Sequence, residues 1–564
     1  MPVSGTAIFS GTNRLNMPWL LASGHVAHAT ALRMARGYVY TSAMAAIVLA
    51  TLNARYVHAS LGLRYLLANL GVLQAQARIA EFVLGTRPVD VAEALLKHTP
   101  RIVGFGVYIW NVEDITRVIA MLKQLAPHVV VVVGGPEVSH EVGEQRICGL
   151  ADYVITGPGD VSFAKLCAQV LAGRNPLQRV VAGEQVPLQG LALPYSLYSD
   201  EDIATRFLYV EASRGCPFKC EFCLSSLDKT AWPFDLERFL AQMQSLFERG
   251  ARHFRFVDRT FNLNARASLR ILEFFLDRMD ERLFVHFELI PDQLPERLKE
   301  AIARFPAGCL HFEIGIQTFN PVVQALISRR QDDARAELNF AWLREQSQAL
   351  IHADLIAGLP GEDLASFASG FDRLYAMRPH EIQVGILKRL RGTPIARHTG
   401  AFRMRYNPDP PYNVLATDRI GFADMQRITR FARYWEMVGN AGRFRRTLPV
   451  LLGEQAADPA DDTVPGVAAF EQFMRFSDWL FETTKKTHEI ALERLYDAVL
   501  RFLVEERGIA RDAALGPVLA DYEASGAKGR LSFMKTGMVV GGARSRRPAA
   551  QHRSHVRQAR HEKA

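Results

Sequence analysis

Long apolar runs are missing from this 564-residue chain. No stretch offers the roughly 18 uninterrupted apolar residues that a membrane span needs, and the apolar piece at Pro18–Ala22 is too short for a secretory core. A cytoplasmic protein is therefore expected, with no membrane partner. Acid is missing from the beginning: residues 1–80 hold six arginines and neither Asp nor Glu, and Glu81 is the first acid. Residues 543–564 add six arginines, Lys563 and only Glu562. These two ends carry +12 against a net charge of +8, so the body between them is at −4. The basicity thus belongs to end segments of the kind that are usually solvated tails. Without an aromatic-studded basic stripe in the body, nucleic acid is not the expected partner. Cysteine is scarce as well. Six thiols in so long a chain exclude a disulfide framework, and Cys148, Cys167 and Cys309 read as small hydrophobes in apolar or helical contexts. No internal repeat is present.

What remains is a globular composition, 49% hydrophobic and 22% charged, with room for three or four domains at about 150 residues each. Residues 1–43 lack periodicity and are expected to be a leader or disordered extension. Residues 44–185 alternate strand and helix patterns, with strands at Ala46–Leu52, Ala77–Val83, Ile102–Tyr108, Val129–Val133 and Tyr153–Ile155. Continuous Val/Ile runs suit strands covered on both faces, and short connections imply a doubly wound parallel sheet. Asn111 before Val112-Glu113-Asp114 reads as a helix N-cap. Residues 186–204 read as a linker. Over 205–400 a second series has strands at Phe207–Glu211, His253–Val257, Phe284–Glu288, Leu310–Gly315, Ala353–Ile356 and Glu381–Leu387. Six βα units in this length fit a partial barrel, whose chemistry gathers beyond the strand C-termini. Residues 405–535 are helical in pattern, with a long period over Phe473–Leu503, and 536–564 are a basic tail. The fold class expected is α/β: an open Rossmann-like sheet, a partial TIM-type barrel, and a mostly helical C-terminal domain.

The strongest chemical signal follows the first barrel strand: Arg214-Gly215-Cys216-Pro217-Phe218-Lys219-Cys220-Glu221-Phe222-Cys223. Three thiolates at this spacing can each ligate one iron of a [4Fe–4S] cube, whereas cubes held wholly by protein use four. The open iron can then chelate a cosubstrate through amino and carboxylate groups. Structural zinc needs four closed ligands, and only Cys309 folding over could supply the fourth. Glycines end two strands of the first sheet, as Gly134-Gly135-Pro136 and Gly157-Pro158-Gly159-Asp160, where a ligand's bulk can approach backbone N–H groups.

On these residues the chain resembles the radical S-adenosylmethionine superfamily, in the group with an N-terminal cobalamin-binding domain and an uncharacterised C-terminal domain. Val257-Asp258-Arg259-Thr260-Phe261-Asn262, Glu313-Ile314-Gly315-Ile316-Gln317-Thr318 and Asp354-Leu355-Ile356-Ala357-Gly358-Leu359-Pro360-Gly361-Glu362 agree with it. The resemblance implies that Cys216, Cys220 and Cys223 hold the cluster and that Phe222 flanks the adenine. It implies that the loop with Asp258 and Asn262 receives the methionine amino group, though Gly-Gly-Glu often stands there. Glu313 and Gln317 would lie near ribose or methionine; the alternative is that Glu288 or Glu313 simply orients a neighbouring loop. Gly358 would let backbone approach the nucleoside, and Gly134, Gly135, Gly157 and Gly159 would cradle cobalamin. The Asp-x-His-x-x-Gly motif that supplies an axial histidine is absent; the matching loop holds His58, expected more as a junction residue than a cobalt ligand.

The function implied is an enzyme that binds a [4Fe–4S] cluster, S-adenosylmethionine and cobalamin and makes a 5′-deoxyadenosyl radical. It would transfer a methyl group to an unactivated centre, or carry out a ring or carbon-skeleton rearrangement, on a small-molecule or peptide substrate, with electrons from a flavodoxin or ferredoxin. Alternatives are a tRNA methylthiotransferase, which needs an upstream cysteine triplet, and a non-catalytic cobalamin or redox sensor.

Overall fold

The structure, a computed structural model, describes residues 44–454, 468–527 and 529–532. The leader, the basic tail and the last few residues of the expected helical domain lie outside them.

Six strands form the first sheet: β1 (Ile47–Asn53), β2 (Ala77–Val83), β3 (Ile102–Gly106), β4 (Val130–Gly134), β5 (Tyr153–Thr156) and β6 (Val180–Ala182). Their order is β2-β1-β3-β4-β5-β6, all parallel. The order reverses between β1 and β3, and such a switch point opens a crevice beyond the strand C-termini. Every residue of β1 is buried, because helices cover both faces and each face has its own apolar core. The edge strand β6 escapes the sequence pattern because its three residues are largely exposed. Asn111 does precede a helix, but its side chain does not cap it. It donates instead to Thr51 Oγ1 and the Leu52 carbonyl of β1, while Tyr108 N donates to its Oδ1.

The segment expected to be a linker is built into the junction. Ser199 and Asp202 form a capping box on the helix Asp200–Thr205. Glu81 of β2 accepts from Arg64 and Arg206 at 3.0 Å each, and Arg64 reaches Asp202 at 2.8 Å. These groups are nearly buried, and removing one partner of such a pair costs about 3–5 kcal/mol.

The second sheet begins at β7 (Leu208–Val210). A two-residue hairpin, β8 (Ser213–Arg214) with β9 (Trp232–Pro233), brackets the cysteines. There follow β10 (His253–Phe256), β11 (Phe284–Leu289), β12 (Leu310–Gln317), β13 (Leu350–Ala357) and β14 (Glu381–Ile386). The order β14-β13-β12-β11-β10-β7 is sequential and parallel, the topology of a barrel left open between β7 and β14. Along β12 buried and half-buried residues alternate strictly: Phe312, Ile314 and Ile316 pack outward against helices, and His311, Glu313, Gly315 and Gln317 face the other way.

The C-terminal helices share one continuous apolar core with the barrel. Phe431, Trp435 and Phe470 pack edge-on around Phe371 of the barrel helix Leu364–Ala376, and Phe473 packs on Phe431 and Trp435. Asn440 exchanges hydrogen bonds with the backbone of Ile382 in β14. The long period over Phe473–Leu503 resolves into two helices, Ala469–Thr484 and Leu492–Glu505, separated at Lys485 by a left-handed turn. Among the described residues no helix is long and apolar enough to cross a membrane.

Candidate functional site

The cysteine loop leaves the C-terminal end of β7 and is tied down on each side. Asp258, in the loop after β10, accepts from Ala212 N at 3.0 Å and from Ser213 Oγ at 2.6 Å. Burial pushes its carboxyl up to about 7. Gly215 has φ +89, and a Cβ there would collide with the Thr230 carbonyl, so only glycine lets the hairpin close before Cys216. Cys216 N donates to Asp228 O at 3.1 Å, and Ser226 Oγ donates to the carbonyls of Cys220 and Cys223. Glu221, between the second and third thiols, is buried and accepts from Ser328 Oγ at 2.7 Å, from His398 Nε2 at 2.9 Å and from Arg397. Its backbone bonds Ile327 and Ile395. The loop is thereby bolted to the segments after β12 and after β14.

Burial pushes the thiols of Cys216 and Cys220 up, while nearby Arg259 and Arg329 act in the opposite direction. Arg329 Nη1 lies 3.7 Å from Cys220 Sγ, and its Nη2 donates to the Gly315 carbonyl of β12. Beside it Gln317 holds φ +71, a left-handed value costly for a side chain with a Cβ. Its Oε1 is buried without a hydrogen-bond partner among the described residues. Such a strained, unsatisfied acceptor next to the thiols marks a place where a ligand completes the hydrogen bonding.

Other residues that face the barrel interior are charged. Arg259 pairs with Glu288 at 2.6 Å, and burial pushes Glu288 up to about 7. His286 Nε2 lies 3.2 Å from Glu313 Oε2. Burial drives Glu313 upward, but His286 and His352 outweigh it and hold the carboxyl low. His352 sits 3.1 Å from Asp354 and 3.4 Å from Glu381. Burial lowers its pKa, yet these two carboxylates carry it up to about 10.

The sequence-predicted residues therefore divide. The three cysteines and Gln317 gather at one end, with Glu313 lower in the barrel. Phe222 packs half-buried on the barrel core. Asp258 and Asn262 tie their own loops down: Asp258 holds Ala212 N and Ser213 Oγ, and Asn262 accepts from Ile290 N at 2.7 Å and donates to the Ile290 and Gln293 carbonyls. At Gly358 the space for a Cβ is taken by Val414, at 2.5 Å, and Met425 of the C-terminal region, not left for a nucleoside. Cys309 precedes β12 at the opposite end of the barrel, 3.9 Å from Met279 Sδ, and cannot close a fourth ligand. Cys148 and Cys167 lie in the cores on opposite faces of the first sheet, so no upstream triplet forms. Arg329, Glu221 and Arg214 were missed, although two of them stand inside the motif itself.

Beyond the strand ends of the first sheet lies an open-sided pocket of about 200 Å³. All four predicted glycines, Gly134, Gly135, Gly157 and Gly159, line it, along with Tyr108 and Arg214. Gly135 has φ +117, and a Cβ there would lie 2.5 Å from the Val107 carbonyl. At Gly157 a Cβ would meet nothing within 4 Å, so open space faces that turn. His58 is elsewhere: its Nδ1 lies 2.6 Å from Tyr209 Oη at the junction with β7. Burial, Arg255 and Arg55 push it down to about 4.

Residues 47–167 match the B12 binding domain, 210–373 the radical SAM superfamily, and 400–535 a protein family of unknown function, DUF4080. The chain carries a B12-binding domain followed by a radical SAM domain. An uncharacterized methyltransferase of Pyrococcus horikoshii is 27% identical over 43% of this chain and 56% of its own. The cobalamin-dependent radical SAM methyltransferase TokK of Streptomyces tokunonensis is 30% identical over 29% of this chain and 27% of that protein. The chain spans about half the length of the first curated relatives it matches. In fold it is similar to the cobalamin-dependent S-adenosylmethionine radical enzyme OxsB, with a TM-score of 0.57 at 13% identity, covering 86% of this chain and 81% of that one.

The radical SAM domain implies a [4Fe–4S] cluster and S-adenosylmethionine, and the B12-binding domain implies cobalamin. The donor set fits. Among the described residues no three His, Cys, Asp or Glu side chains converge as a single metal ion would require. A cube asks less, since each thiolate takes its own iron. The glycine-lined pocket, bare of side chains at Gly134, Gly135, Gly157 and Gly159, would admit part of such a bulky ligand.

Proposed function

We propose that this chain is a cobalamin-dependent radical S-adenosylmethionine methyltransferase. It generates a 5′-deoxyadenosyl radical and methylates an unactivated centre of a small molecule or peptide. The observation that carries this reading is the shared wall: Arg214, two residues before the first cluster thiol, also lines the glycine pocket. When bound, the cluster supplies the electron that splits the sulfonium, and cobalamin carries the methyl group.

Within that scheme Cys216, Cys220 and Cys223 hold three irons, and Arg329 sets a positive charge against the Cys220 sulfur. Gln317 Oε1 offers an acceptor to an amino or hydroxyl group of the cosubstrate. The Arg259–Glu288 pair faces the same space, and a carboxyl tuned to about 7 favours a neighbouring ammonium when ionised. Gly134, Gly135, Gly157 and Gly159 keep the pocket wall free of side chains. The electron donor is a flavodoxin or ferredoxin, and the free thiols suit the reducing cytoplasm.

Anaerobic reconstitution with iron, sulfide and hydroxocobalamin, then S-adenosylmethionine and reductant, tests the reading. About four irons per chain, bound corrinoid and 5′-deoxyadenosine are expected. Zinc at the thiols with no iron would overturn it.

A further inference from the structure

The two cofactor regions meet through one side chain. Arg214 belongs to β8 and is separated from Cys216 by Gly215 alone. Its guanidinium turns away from the thiols and crosses into the B12-binding domain. There Nη1 donates to Asp160 Oδ2 at 2.9 Å and Nη2 to Oδ1 at 3.4 Å, a two-pronged contact. Nε donates to Glu211 at 2.8 Å, at the end of β7. The flat face of the group lies 4.4 Å from the Tyr65 ring and 5.5 Å from Phe234. Asp160 opens the helix Asp160–Leu171, immediately after Gly157-Pro158-Gly159. Asp160, Tyr65 and Arg214 all line the pocket.

The backbone gives this contact little slack. Gly215 is pressed on the Thr230 carbonyl, Ser213 is held by Asp258, and Arg214 pairs with Trp232 across the hairpin. A shift of the guanidinium therefore moves the first thiol, and ordering the thiols fixes the guanidinium. Planar fork-to-carboxylate geometry is what makes arginine suited to such a joint and lysine unsuited.

We infer that Arg214 is a positioning residue that couples the two cofactor sites, so that assembling the cluster tightens corrinoid binding and the reverse. The inference rests on the cofactor assignment above and goes beyond it. Both ligands order the same segment, so the second finds that ordering already done, and linkage makes the effect reciprocal.

The test is anaerobic titration of hydroxocobalamin into the full chain with and without its reconstituted cluster. In the parent the cluster is expected to lower Kd about tenfold, within the usual range for coupled sites. In Arg214→Gln, and independently in Asp160→Asn, the two Kd values converge to within about twofold, and the double variant shows no further change. Iron content and cluster absorbance serve as the check that each variant still assembles. A parent ratio near one overturns the inference, as does a folded variant that keeps the full ratio. Asp160→Asn decides the matter alone if Arg214→Gln does not fold, because Asn keeps the shape of Asp and leaves the cap residue Gly159 in place. Absence of hydroxocobalamin binding in the parent, with or without cluster, instead sinks the cobalamin assignment itself.

Discussion

The two parallel sheets are assembled from the same strand–helix unit and have opposite interiors. In the first sheet the strand order reverses, helices cover both faces, and β1 through β5 carry no histidine and only one charged pair of positions, on the edge strand β2. In the second the order is sequential and the sheet curls. One face then looks into a lumen holding Arg255, His286, Glu288, His311, Glu313, His352, Asp354 and Glu381. Strand order alone decides whether a face meets a helix or an enclosed space, and side-chain chemistry follows. The open sheet offers a ligand its glycine turns; the barrel offers charge.

The largest break in this comparison is expected at the cysteine loop. Cys220→Ala should abolish cluster absorbance and 5′-deoxyadenosine formation together, while hydroxocobalamin binding persists, since the glycine pocket contains none of the three thiols. Next is the junction. Glu81→Gln leaves Arg64 and Arg206 facing a neutral group in a nearly buried site and should cost about 3–5 kcal/mol, read by urea unfolding. The glycines sharpen the contrast. Gly135→Ala meets backbone, the Val107 carbonyl, and should cost about 1–3 kcal/mol and weaken hydroxocobalamin binding. Gly358→Ala meets the Val414 side chain, which can yield, and should cost less than Gly135→Ala.

A smaller effect separates the sheets by pH. His352 has a folded pKa of about 10 against an ordinary 6.5. Its contribution is full below pH 6.5 and is lost as pH rises toward 10. His286 and His311 are held low by burial, so the unfolded chain takes up protons first and stability also falls as pH drops below about 6.5. Melting between pH 7 and 9.5 should show the alkaline loss in the parent and a flatter profile in His352→Gln. An unchanged profile in that variant would refute the assignment. The smallest effect is Ser60→Ala, which removes the side-chain cap on Leu63 N and should cost about 1 kcal/mol in thermal unfolding.

The strand series was legible because buried parallel strands are continuous apolar runs. β2 falls at its expected bounds, whereas β6, short and exposed, left no such run. The thiols were legible because chelation demands close spacing in sequence. Arg329 was not, since it reaches Cys220 from the segment after β12 and only closure of the sheet brings it in. Asp258 and Asn262 fall beside the site by sequence, but the fold engages their polar atoms with Ser213 and with backbone.

Spacing and periodicity, both properties of a few consecutive residues, determined the cysteine triplet, the glycine turns and the two βα series. Folding decided everything that depends on which distant segments touch: the bolt on Glu221, the filling of Gly358 by the C-terminal region, and the reach of Arg214 into the neighbouring domain. The physical reason is range. Chain geometry fixes neighbours within a turn or strand, while ion pairs and packing join residues more than fifty positions apart only after distant segments have closed against each other.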